Sequence, residues 1–298
     1  MNNKKIRILG LSGATRTYGN TAILLNEALN GAEKNGAYVE VLNLYDFNIK
    51  PCHGCLNCVL YGKCKNNDDF EELMKILTGY DGIIVGSPNY SNNITSIFKQ
   101  MSDRVYLVYS KYFQHFKSIK VSVFINYFYE NFQQALPLSL LTFTFRAMQF
   151  KIVDTKMFHA TSIPGGVVSY EKSISNAFKM GVNIVDSIKK NKDCSRGNIN
   201  ICPDCYSNFF IFKENNEVQC PVCSRTGRLE NGKVVFKEEY NNVSYLSNNW
   251  LDYHFKEVLK SLEYDQIKDL SKIRKKYINE RMKNKTRLKP NNNLQKGN

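Results

Sequence analysis

The stretch KIRILGLSGATRTYGNT, residues 5–21, decides the fold. Its first part, 5–11, is an apolar run of strand length, and just beyond it 21–35 places Ile23, Leu24, Leu25, Ala28 and Leu29 on one side of a helix. Between them lie Gly10, Ser12, Gly13, Ala14, Thr15, Arg16, Thr17, Tyr18, Gly19, Asn20 and Thr21. Such a loop offers backbone N–H groups, several hydroxyls and one guanidinium to an anion at the start of a helix. It lacks both the Gly-x-Gly-x-x-Gly pattern of dinucleotide binders and the Gly-Lys-Ser/Thr ending of a P-loop, which argues against ATP and a Rossmann-bound NAD. The residues suit the terminal phosphate of a flavin mononucleotide, with an ordinary strand-to-helix turn as the plain alternative.

Working outward, 38–44 alternates like a second strand, and 68–78 reads as a helix opened by acidic residues that suit its N-terminus. The run Gly82-Ile83-Ile84-Val85-Gly86 within 81–86 is too apolar to face water on either side and predicts a buried third strand. A helix over 94–107, strands over 120–126 and 151–158, and helices over 133–149 and 172–189 complete the pattern. Alternating strands and helices imply a parallel sheet covered on both faces. The fold class expected is α/β: a flavodoxin-like, doubly wound, five-stranded parallel sheet whose ligand sits outside the carboxyl ends of the strands. At the end of the third strand, Ser87, Pro88, Asn89, Tyr90, Ser91 and Asn92 carry an aromatic and several hydrogen-bonding groups that suit an isoalloxazine ring, although Ser-Pro-Asn is also ordinary turn chemistry.

Cys52, Cys55, Cys58 and Cys64 form a C-x2-C-x2-C-x5-C run after the second strand. Two-residue spacers let a short loop aim successive thiolates at one centre, and a fourth ligand five residues on can close the cage of an iron-sulfur cluster. Structural zinc, which favours two C-x2-C pairs a dozen or more residues apart, and free or redox-active thiols are the alternatives. His53, between two of these cysteines, is read as a bystander. A second set, Cys202, Cys205, Cys220 and Cys223, has that paired spacing, with fourteen residues between two C-P-x-C knuckles. Hairpins around Asn215-Asn216 and Asn231-Gly232 give it the context of a zinc ribbon. Zinc is expected there; a rubredoxin-like iron site is the alternative, against which Tyr206 and Ser224 stand where rubredoxins usually carry glycine. Cys194 is left over as a structural cysteine, and His254 as a packing residue.

Three segments follow: 1–190, the flavodoxin-like domain with the cysteine loop at 52–64; 191–240, the small β ribbon; and 241–298, a basic tail whose helical part begins at about Trp250. The formal charge is +14, but residues 264–298 hold eleven Lys/Arg against three Asp/Glu, a net +8 that leaves only +6 over the body. That distribution favours a solvated helix over a phosphate-tracking face, so nucleic acid is not an expected partner. No apolar run is long enough to span a bilayer, and the N-terminal residues lack an export pattern, so the expectation is a cytoplasmic location without membrane contact. Nine cysteines there are more plausible as metal or cluster ligands than as disulfides.

Residues 4–190 resemble the NADPH-dependent FMN reductase family, and the cysteine run makes the chain most similar to its iron-sulfur flavoproteins. The family's G-S-x-R-x-x-G-N-T phosphate loop is matched by Ser12 or Gly13 through Arg16, Gly19, Asn20 and Thr21, with Ala14-Thr15 where Ser-Pro is usual. Its T/S-P-x-Y segment and the following Asp-Arg are matched by Ser87-Pro88-Asn89-Tyr90 and Asp103-Arg104, and Asp68-Asp69 follows the cysteines as in that family. The resemblance implies an FMN phosphate held by Ser12, Arg16, Asn20 and Thr21, and a ring near 88–92. It also implies a [4Fe-4S] cluster on the four N-terminal cysteines and a homo-oligomer. Electrons would pass between NAD(P)H or a small electron-carrier protein and an acceptor. One departure is Asn126-Tyr127-Phe128-Tyr129-Glu130-Asn131, where relatives place a glycine-rich loop; its bulk would narrow or cover the ring pocket. Two other functions stay in view: an FMN, quinone or nitro reductase without a cluster, and a flavin-sensing protein that engages nucleic acid or a partner through its ribbon and tail.

Overall fold

The computed structural model describes residues 5–128, 135–191, 200–236 and 266–282, together with 253, 256, 257 and 260. Five parallel strands, β1 (Arg7–Ser12), β2 (Tyr38–Asn43), β3 (Gly82–Pro88), β4 (Lys120–Tyr127) and β5 (Lys151–His159), lie in the order β2-β1-β3-β4-β5. This is the flavodoxin-like sheet, with β1 at the point where the order reverses. β3 is buried along its whole length, as its composition requires.

The period-2 alternation of the strands sorts their side chains into two layers. Leu9, Leu11, Ile83, Val85, Val121 and Val123 face one core, whereas Ile8, Ile84, Phe124 and Val153 face the other. The second layer is covered by α1 (Asn20–Lys34) and α8 (Glu171–Lys190), which meet through small residues. A Cβ on Gly181 would lie 1.7 Å from the Ala28 carbonyl oxygen, so the two backbones approach as closely as they do only because this position is glycine. Across the sheet lie α2 (Asn57–Tyr61), α3 (Phe70–Leu77), α4 (Ser96–Ser102), α5 (Val105–Lys111), α6 (Phe113–Phe116) and α7 (Ala135–Ala147). The helix expected over 94–107 is two helices, broken at Asp103-Arg104, and the break turns Arg104 into the interior, where it is 3 % exposed. The helix within the cysteine run, α2, was not expected.

The antiparallel sheet β6 (Ile211–Phe212), β7 (Glu217–Gln219), β8 (Thr226–Glu230) and β9 (Lys233–Val235) carries the second cysteine set. It shares one compact unit, Met1–Leu251, with the parallel sheet. The reason lies in α7, which is apolar on more than one face. Leu141 and Phe145 pack into the sheet's core, while Phe143 and Ala147 pack with the buried cysteines, Phe210 and Phe236. Tyr206 donates to the Ile152 carbonyl at 3.1 Å, and the Arg146 Nε donates to the Asp204 carbonyl at 3.0 Å, tying the small sheet to β5 and α7.

The second unit, Asp252–Asn298, contains α9 (Gln266–Tyr277), whose last turn holds Arg274, Lys275 and Lys276 in solvent. Most of the helix expected from Trp250, together with Cys194, His254 and residues 129–131, lies outside the described residues. Among the described residues no helix is long and apolar enough to cross a membrane.

Candidate functional site

The loops at the carboxyl ends of β1, β3, β4 and β5 enclose a cleft of about 390 Å³. The first two loops are built against each other. The Gly13 N–H donates to the Gly86 carbonyl at 2.9 Å, and the Thr95 hydroxyl donates to the Gly13 carbonyl at 2.9 Å. A Cβ on Gly13 would meet the Phe98 ring at 2.1 Å, so only glycine lets the loop pass under α4. The third-strand loop closes with paired backbone hydrogen bonds between Tyr90 and Asn93, 3.0 Å each. Ser91 and Asn92 at its tip take φ of 50° and 58°, the arrangement of a type I′ turn, which presents the half-exposed Tyr90 ring at the mouth.

All the residues expected to hold the cofactor line this cleft except Ser12 and Ser87. Those two hydroxyls are buried and brace the loops: Ser12 Oγ accepts from the Ala14 N–H at 3.3 Å, and Ser87 Oγ donates to the Pro88 carbonyl at 2.9 Å. Asn20 is also engaged within the protein. Its Nδ2 donates to the carbonyls of Thr161 at 2.8 Å and Ile163 at 3.2 Å, and its Oδ1 accepts from the Val167 N–H at 3.0 Å. The Thr21 hydroxyl donates to Asn126 Oδ1 at 2.5 Å. The groups left facing an anion are the exposed Arg16 and the first turn of α1, whose N-terminus has no side-chain cap. Asn89 Oδ1 is buried at the cleft without a hydrogen-bond partner, an acceptor open to a donor entering the cleft.

Sequence reasoning missed the wall made by Thr161, Ser162 and Pro164 after β5. The signal available was the Pro164-Gly165-Gly166 turn at the carboxyl end of the fifth strand. Tyr127 and Phe128 form another wall, in keeping with the bulk expected there, and His159 Nε2 lies 3.0 Å from the Phe128 carbonyl.

Cys52, Cys55, Cys58 and Cys64 line one pocket of about 140 Å³, the first two exposed and the last two half-buried. Asp68 and Asp69 close the base of their loop: Asp69 Oδ2 accepts from the Asn48 N–H at 2.7 Å, and Asp68 Oδ2 from the Lys50 N–H at 2.8 Å. Leu56, with φ of 56°, reverses the chain between Cys55 and Cys58, and α2 then carries Cys58 inward. Burial pushes the Cys58 thiol up; burial, and then Cys58 itself, push Tyr106 up. The Gly54 N–H and Arg104 Nη2 point at sulfur, 3.4 Å from Cys52 Sγ and 3.2 Å from Cys64 Sγ.

Among the described residues, one set gathers its sulfurs within 4.8 Å of one another: Cys202, Cys205, Cys220 and Cys223, all buried. The Cys202–Cys223 and Cys205–Cys220 sulfur pairs are 3.4 and 3.3 Å apart. A tetrahedron of thiolates with metal–sulfur bonds of ~2.3 Å has edges of about 3.8 Å, so this set fits one ion. The knuckles repeat each other. Tyr206 and Ser224 donate their N–H groups back to Cys202 and Cys220, and both adopt positive φ, 58° and 63°, the left-handed geometry for which glycine is usual.

The sheet order and the cleft at the carboxyl ends of its strands define a flavodoxin-like protein. A profile of the NADPH-dependent FMN reductase family matches residues 6–163, more than half of the chain, and the chain belongs to that family. An iron-sulfur flavoprotein of Methanocaldococcus jannaschii is 39% identical over 99 residues, which are 33% of this chain and 51% of that protein. One from Clostridioides difficile is 33% identical over 119 residues, 39% of this chain and 53% of that protein. The chain thus spans about half the length of the curated relatives it matches. A solved flavone reductase superposes with a TM-score of 0.70 at 18% identity, covering 96% of this chain and 100% of that one, which shows a shared fold.

Proposed function

We propose that the protein is an FMN-dependent oxidoreductase that passes electrons between NAD(P)H or a small electron carrier and an acceptor through FMN and a [4Fe-4S] cluster on Cys52, Cys55, Cys58 and Cys64. The observation that carries this reading is the convergence of Arg16, the uncapped α1 N-terminus and the unpartnered Asn89 oxygen on one cleft of a family fold. Arg16 and the α1 amides would hold the phosphate, since a helix N-terminus stabilises an anion and the neighbouring side chains of Asn20 and Thr21 are committed elsewhere. Asn89 would accept a ring N–H, with Tyr90 and Phe128 bounding the ring.

Bound FMN accepts hydride or single electrons, and so converts between two- and one-electron chemistry. The chain's own part is to bind and orient it and to shape access past Tyr127 and Phe128. The compact spacing of the N-terminal cysteines suits a cluster better than a lone ion, and all four share one pocket. A cube of iron and sulfide is larger than one ion and spreads its ligands accordingly. For the second set we propose zinc, which its closed, buried geometry suits as a structural ion clamping the small sheet to α7.

Anaerobic purification followed by flavin, iron, zinc and acid-labile sulfide analysis tests this. The expected result is FMN, with iron and sulfide in equal amounts, and loss of both iron and sulfide but not FMN in Cys55→Ser. Iron and sulfide unchanged in Cys55→Ser would remove the cluster assignment and leave an FMN, quinone or nitro reductase.

A further inference from the structure

Lys65, Asp103 and Arg104 are the charged residues lining the N-terminal cysteine pocket, and of these Arg104 alone, at the break between α4 and α5, is buried. Its side chain is 2 % exposed, and its partner Asp68 is 1 % exposed. One nitrogen, Nη1, donates to Asp68 Oδ2 at 2.5 Å; the other, Nη2, donates to Cys64 Sγ at 3.2 Å. The guanidinium therefore bridges the carboxylate and the sulfur, and its Cζ lies over the Phe70 ring, 4.1 Å from the centroid. Nε is buried without a hydrogen-bond partner, a donor that the ion pair does not use. An ion pair serving the fold alone has no need of a sulfur at its positive end. A buried guanidinium cannot lose its proton, so this charge is permanent.

We propose that Arg104 is a positioning residue for the cluster: it fixes the rotamer of Cys64 and sets a permanent positive charge against that ligand, which favours the more reduced cluster. The inference rests on the cluster assignment above. Hydrogen bonds to a ligand sulfur and nearby charge are the protein's levers on a cluster's potential, and a cation stabilises the state that carries the extra electron. Asp68 works in the opposite sense, but from behind the guanidinium, so removing each charge has opposite consequences.

The test is an EPR-monitored redox titration of the full-length, cluster-bearing protein, with iron, sulfide and FMN content measured alongside. In Arg104→Gln the reduced-to-oxidised ratio at a fixed poise should fall at least tenfold, a shift of about 59 mV to lower potential for a one-electron couple. In Asp68→Asn it should move to higher potential. Simple loosening of the loop would move both variants the same way, and that result, or an unchanged potential in Arg104→Gln, overturns the proposal. If Arg104→Gln loses the cluster, Arg104→Lys decides: retention with a near-native potential supports the role of the charge, and loss in both assigns Arg104 to the fold alone. A wild-type protein without iron and sulfide defeats the cluster assignment itself, and is seen before any variant is made.

Discussion

Replacing Asn20 with alanine separates two roles that the sequence alone confounds. The family pattern makes this asparagine a phosphate ligand, whereas in the structure all its polar atoms hold the chain between β5 and α8. Three hydrogen bonds vanish in Asn20→Ala, to the Thr161 and Ile163 carbonyls and from the Val167 N–H. At ~0.5–1.5 kcal/mol each, and with one of them solvent-exposed, the loss of anchoring is about 1–3 kcal/mol. Tenfold per ~1.4 kcal/mol converts that to roughly 5- to 150-fold more frequent local opening. The assay is amide hydrogen exchange on flavin-stripped protein, read at Val167, whose amide loses its acceptor directly. Faster exchange there without FMN present, together with weakened FMN binding, is the expected outcome. Exchange at Val167 unchanged in the stripped variant while FMN binding falls would refute the clamp and return Asn20 to the phosphate.

In Gly181→Ala the new methyl meets the Ala28 carbonyl oxygen and the Ala32 nitrogen, so α1 and α8 must separate; a loss of about 2–3 kcal/mol, seen as a lower denaturation midpoint, is expected. Cys205→Ser, or a strong chelator, should release the metal proposed for the small sheet and expose Phe143 of α7, which increased binding of a hydrophobic dye would report while FMN stays bound. Tyr80 is pushed up to about 12 by burial and by its hydrogen bond to Glu40. Its phenol therefore contributes stability that is whole below the ordinary tyrosine value of ~10 and fades as pH rises through about 12. Because the group is partly exposed, ~1 kcal/mol is expected; Tyr80→Phe should flatten the alkaline limb of the stability curve by that amount.

The sheet was legible in the sequence because burial on both faces imposes a composition. Gly82-Ile83-Ile84-Val85-Gly86 reads as a central strand without any neighbour to show it. The paired knuckles were legible for a similar reason: tetrahedral coordination dictates the C-x2-C spacing, and the structure gathers those four sulfurs. The loop from Gly10 to Thr21 suggested an anion site, since it gathers glycines and hydroxyls before a helix. Local spacing, composition and strand–helix alternation are properties of short stretches, so a sequence states them directly.

What each polar group does with its hydrogen bonds is not local. Asn20 reaches Thr161 and Thr21 reaches Asn126, partners more than a hundred residues away, so the pattern that suggested four phosphate ligands could not say which side chains were already engaged. Arg104 appeared as half of an Asp-Arg motif; only the break between α4 and α5 turns it against Cys64 and Asp68. The apolar character of α7 was visible, but not that its second face carries the small sheet. The sequence by itself determined the order of the five strands and marked the stretches proposed here to hold an anion and metals. Only the tertiary structure decided which side chains are free to bind them, because a donor's availability depends on every acceptor the fold brings within reach.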